Sequence, residues 1–86
     1  MDGWSTQTAS DIIRDGLGVE LIDTRDNIAA EVFRCDRDRT VCVTCWSDSV
    51  TQDVLDWLLP AAFDRLTEFE DGSPLPPVSD WPIVRE

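Results

Sequence analysis

Cys42, Val43, Thr44 and Cys45 form a C-x-x-C motif, and Cys35 lies close by in the chain. Thiols at this spacing bind zinc or cycle through a disulfide when a turn or a helix start brings both sulfurs to one side. Here the neighbours Val41, Val43 and Thr44 are β-branched and favour a strand. Residues three apart on a strand point to opposite faces. A zinc site would also need a fourth ligand; with no histidine in the chain, a carboxylate such as Asp36 is the remaining donor. The thiols are therefore expected to be structural, and no metal or cofactor is assigned. Their odd number also argues against a closed disulfide framework.

Nucleophilic catalysis by serine or cysteine needs a base, and the usual one, histidine, is missing. Without lysine, Schiff-base and P-loop chemistry are closed as well. Carboxylate pairs suit glycoside hydrolysis, but among 18 Asp and Glu such pairs arise by chance, and 86 residues leave little room for a sugar cleft. No catalytic residue is assigned, and the chain is read as non-enzymatic.

The more informative constellation is acidic. At a helical 100° per residue, Asp53, Asp56, Asp64, Glu68 and Asp71 fall within a third of the circumference, opposite the apolar positions. On a continuous helix this stripe would span about 27 Å. Trp57 falls among the acids. A large rigid aromatic rimmed by charge suits an interface anchor. These six residues are the candidate partner-binding set. Negative charge at this pitch can occupy an Arg/Lys groove built for a phosphate backbone.

Residues 19–23, 28–35 and 40–46 read as three strands, joined by turns at 24–27 and 36–39, where Asp and Asn tolerate turn geometry. Residues 10–15 suggest a short helix with Ile12 and Ile13 inward, ended by Gly16 or Gly18. A main helix is expected over about 49–70, capped by Ser49 with Gln52 and interrupted at Pro60. Residues 1–9 look loosely held. Residues 73–86, with Pro74, Pro76, Pro77 and Pro82, look extended. The expected fold is a single α+β domain, residues 1–86. It has a three-stranded antiparallel meander, one long C-terminal helix on one face, a short N-terminal helix and a Pro-rich tail.

On the helix-facing side we place Val19, Leu21, Ala30, Val32, Val41, Val43 and Cys45, met by Val54, Leu55, Leu58, Ala62, Leu66 and Phe69. By alternation the other side carries Ile22, Phe33, Cys35, Cys42 and Trp46, more apolar than a solvated face. Either the first helix and tail cover it, or a partner or a second copy does. In the latter case Phe33, Cys42 and Trp46 form a homodimer interface and the chain is a structural or adaptor module.

The net charge is −11, from 18 acids against 7 bases, all arginine. Residues 47–86 hold 9 acids and 2 bases, net −7; residues 1–46 hold 9 and 5, net −4. Such charge disfavours nucleic acid and anionic membranes as direct partners and favours a basic protein surface. No secretory signal and no apolar run of bilayer length is visible. The expected location is the cytoplasm, and the absence of lysine suggests a GC-rich bacterial or phage genome. Both monomer and homodimer are compatible with these features.

The size, the net charge, the α+β order, the missing catalytic set and the stripe Asp53, Asp56, Asp64, Glu68 and Asp71 together resemble the small acidic inhibitors of phages and mobile elements. Anti-CRISPR proteins and other DNA mimics are the known groups. They share no common motif, so no residue role transfers. The resemblance implies binding to a CRISPR effector complex and blocking of its DNA-binding or recruitment surface.

Overall fold

In the computed structural model, which describes residues 3–86, the chain runs β1 (Ser5–Asp11), β2 (Gly16–Ile22), β3 (Ile28–Cys35), β4 (Thr40–Cys45), α1 (Gln52–Leu66), a 3-10 turn (Val78–Asp80) and β5 (Ile83–Arg85). The sheet order follows the chain, β1-β2-β3-β4-β5. The first four strands are antiparallel; β5 joins β4 in parallel. A parallel neighbour requires a crossover, and α1 lies in that connection, which carries it over one face of the sheet. The result is a small α+β fold with a five-stranded mixed sheet and one helix of 15 residues. It replaces the expected three-stranded meander with a long C-terminal helix.

Three departures account for the difference. Residues 10–15 are not a helix. They end β1 and form its hairpin turn into β2, leaving Ile12 and Ile13 94% and 91% exposed instead of inward. Residues 5–9, expected to be loose, are ordered along β2 from Ser5↔Ile22 to Asp11↔Gly16; residues 1 and 2 of that expected segment lie outside the described residues. The tail is only partly extended: it contributes a bridge from Pro74 to Glu68, the 3-10 turn and β5.

Gly16 and Gly18 act as spacers inside β2 and end no helix. A Cβ on Gly16 would stand 2.0 Å from the Arg34 carbonyl oxygen and 2.6 Å from the Phe33 ring, and one on Gly18 would stand 2.7 Å from the Glu31 carboxylate. The two expected turns are present. Asp23 accepts from the backbone N–H of Arg25 and Asn27 (2.8 and 3.0 Å), while Asp26 and Arg39 take positive φ of 63° and 54°.

The core lies between the sheet and α1. Every residue assigned to it from the sequence is buried, together with Ala29, Val50, Leu59, Leu75 and Trp81. Truncating Leu55 or Leu58 to alanine in such a site costs about 2–5 kcal/mol. The helix starts later than expected: Thr51, not Ser49, is its N-cap, with its hydroxyl accepting from the Val54 N–H at 3.4 Å. Pro60 sits inside the helix on its exposed side, where water can serve the Asp56 carbonyl that proline cannot. The helix ends at Leu66 because Thr67 reverses the backbone, with φ 56° and ψ −75°.

Arg34 secures that end. Its Nη1 donates to the carbonyls of Leu66 and Glu68, both at 2.7 Å, and its Nη2 donates to Asp36 at 3.1 Å. Asp36 in turn accepts from the Glu70 backbone N–H at 3.0 Å. A cation on the last helical carbonyls matches the negative end of the helix dipole.

Candidate protein-binding surface

The backbone reversal at Thr67 divides the acidic stripe. Asp53, Asp56 and Asp64 remain together on the exposed side of α1. Among the described residues none of the three has a salt bridge. Asp53 occupies the first turn, where the helix dipole favours an anion, and Asp56 accepts from the Gln52 amide at 2.8 Å. Glu68 and Asp71 are exposed too, but they lie beyond the helix in the 67–74 loop. Asp71 accepts from the Ser73 hydroxyl and N–H and stands 3.5 Å from Arg39. These contacts, the Ser73 hydroxyl first, hold its carboxyl below the usual range.

Trp57, expected among the acids as an interface anchor, is half-buried and packs against the core. The helical surface therefore presents three carboxylates flanking a partly sunken indole. Phe63, 38% exposed, adds an apolar ring beside them.

Around Phe33 and Glu31, the opposite face of the sheet is covered by a group that the sequence reading missed. Arg14, from the β1–β2 hairpin turn, folds back over Phe33 and Glu31, whose side chains fill the space beside Gly16 and Gly18. Its guanidinium lies 3.9 Å from the centroid of the Phe33 ring. It donates to both oxygens of Glu31, at 2.8 and 2.9 Å, and to Asp11 at 2.6 Å. Glu31 is the buried charged residue of the sheet, 6% exposed. The two carboxylates raise the Arg14 pKa, Glu31 first, and Arg14 lowers that of Asp11, chiefly through its backbone N–H. One signal was present: a glutamate inside the otherwise apolar run IAAEVF, on the strand opposite two glycines.

Of the proposed dimer residues, Phe33 is thus covered by Arg14 and Cys42 is half-buried. Trp46 is 46% exposed, with its indole N–H donating to Glu86 at 2.9 Å. The hairpin turn covers the part of this face around Phe33 and leaves Trp46 exposed.

The thiols follow strand geometry. Cys45 is buried on the helix side, and burial pushes its pKa up; Cys35 and Cys42 are half-buried. No group of three or more potential metal ligands occurs among the described residues. At the far end of β2 from the hairpin turn, an open cleft of about 530 Å³ is lined by Trp4, Asp23, Arg25, Asn27 and Ser47 among others. Its carboxylate is committed: the N–H groups of Asn27 and Arg25 hold the Asp23 pKa below its ordinary 3.8.

No helix among the described residues is long and apolar enough to cross a membrane. Comparison with protein-family models, curated proteins and solved structures finds no match to this chain.

Proposed function

We propose that this chain is a non-enzymatic acidic protein that binds, and thereby inhibits, a basic nucleic-acid-handling protein, with the exposed side of α1 as its docking surface. The observation that carries the reading is the set Asp53, Asp56 and Asp64: three carboxylates on one face of one helix, free of arginine among the described residues, in a chain of net charge −11. Clustered charge of one sign speeds encounter with the opposite sign and fixes orientation on it. A CRISPR effector complex is one such basic target, and the bacterial cytoplasm is where the two would meet.

The test is affinity capture from a bacterial lysate, at low and high salt, with wild type and with Asp56→Arg/Asp64→Arg. The expected result is capture of DNA- or RNA-binding proteins that salt releases and duplex DNA displaces, lost in the double variant while its melting curve is unchanged. If the double variant captures the same proteins equally well, the helix face is not the site.

A further inference from the structure

We propose that the free edge of β1 is a self-association surface, on which a second copy of the chain pairs antiparallel about a two-fold axis at Thr8. This goes beyond the helix-face reading and does not depend on it.

β1 is an outermost strand, paired on one side with β2 through seven consecutive positions without a bulge. Its other side carries the backbone donors and acceptors of an open edge. Soluble proteins blunt such edges with charge, proline, bulges or brevity. The opposite edge, β5, does so with three residues that include Arg85. Residues 5–10, Ser-Thr-Gln-Thr-Ala-Ser, use none of these devices. The one charge on the strand, Asp11, is held by Arg14 at 2.6 Å. In a chain of net charge −11, this edge is a place where two copies can approach without setting carboxylates against each other. An uncharged strand also gives a basic partner no carboxylate to pair with, so the same observation favours a second copy over the target of the helix face.

The register follows from the ends. With Thr8 opposite the second copy's Thr8, Gln7 meets Ala9, Thr6 meets Ser10 and Ser5 meets Asp11. An antiparallel two-fold pair must oppose a residue to itself if side chains are to keep their faces. The next pair outward sets Trp4 beside the second copy's Ile12. Ile12 and Ile13 are 94% and 91% exposed at a turn, where Gly, Asn or Asp is the usual choice. Trp4 is half-buried and packs on the edge of the core. Moving the register by one step of the pleat in either direction places Trp4 against Ser10 or Arg14. Of these three registers, only the Thr8-centred one gives the isoleucine tip an apolar neighbour. Threonine pairs directly across an antiparallel ladder are favourable, and like charges there are not.

Sedimentation equilibrium across micromolar concentrations, at low and high salt, tests this. The expected result is a molar mass that doubles as concentration rises, with salt strengthening the association because it screens two acidic copies; salt would weaken a complex with a basic protein. Thr8→Lys, which opposes two ammonium groups across the axis, is expected to weaken dimerisation about ten-fold or more, whereas Thr8→Val retains it. Ile12→Ser/Ile13→Ser, at a tip already open to water, weakens it without altering the melting curve recorded at concentrations where the chain is monomeric. A wild type that is monomeric at every concentration and salt overturns the proposal. So does a dimer that Thr8→Lys leaves intact.

Discussion

Arg14 and Glu31 are joined by two hydrogen bonds, 2.8 and 2.9 Å, across the outer face of the sheet. They lock the β1–β2 turn onto β3. The pair is asymmetric: the Arg14 side chain is 48% exposed and that of Glu31 7%. The burial cost therefore falls mainly on the carboxylate.

Removing the arginine alone should be the worse lesion. Arg14→Ala leaves Glu31 buried without its cation, a loss of about 1–3 kcal/mol. Adding Glu31→Ala should recover part of it, so the double variant is less destabilised than the sum of the singles. Urea unfolding of all four proteins measures this. Additive losses would mean that the two side chains act separately.

Arg34 ties the end of α1 to β3 through the Leu66 and Glu68 carbonyls and lies against Asp36, with side chains only 11% and 5% exposed. Replacing one member of a buried ion pair strands the other. Arg34→Met should cost about 3–5 kcal/mol. Hydrogen exchange should show its effect concentrated at residues 66–70, with the start of the helix less affected.

How far the sequence disclosed this fold is clearest from its two edge strands. β3 was legible to the residue and β4 to within one, because both are rich in β-branched and aromatic residues and are bounded by Asp- and Asn-containing turns. β1 was not: its residues are polar on both faces, so no hydrophobic period marks it. β5 is three residues after a proline, too short to carry a pattern. Ile12 and Ile13 were misread because apolarity was taken for burial. In the candidate surface, Asp53, Asp56 and Asp64 followed from helical spacing. Glu68 and Asp71 did not, since Thr67 reverses the chain with no glycine or proline to announce it.

The Asp23 turn gives a pH prediction. Its carboxyl is held below 3.8 by the Asn27 and Arg25 N–H groups, so the folded protein binds this proton less readily than the unfolded chain. The associated stability is fully present above the unfolded value and disappears as pH falls through the lower folded value. The melting temperature of Asp23→Ala should therefore lie below that of wild type at neutral pH, and the gap should narrow once pH drops below 3.8. Taking the difference removes the changing self-repulsion that both proteins share. A gap that stays constant through acid would show that the carboxylate charge is irrelevant to the turn.

Asp53 and Asp64 sit at opposite ends of one helix, and the dipole separates what each does. Asp53 is in the first turn, where a negative charge stabilises the helix; Asp64 is two residues from its end, where the same charge opposes the carbonyl dipoles. Asp53→Asn should lower stability by about 0.3–1 kcal/mol, and Asp64→Asn should raise it by a similar amount. The acidic carboxylate at residue 64 then runs against local stability, which is expected of a group retained for what it meets outside the molecule. On the proposed function, both variants should bind the basic partner less well, with on-rates reduced more than off-rates are raised. Urea unfolding beside stopped-flow binding separates the two effects. If Asp64→Asn instead destabilises the domain and leaves binding unchanged, this carboxylate serves the fold, and the docking surface must be sought elsewhere than on the helix.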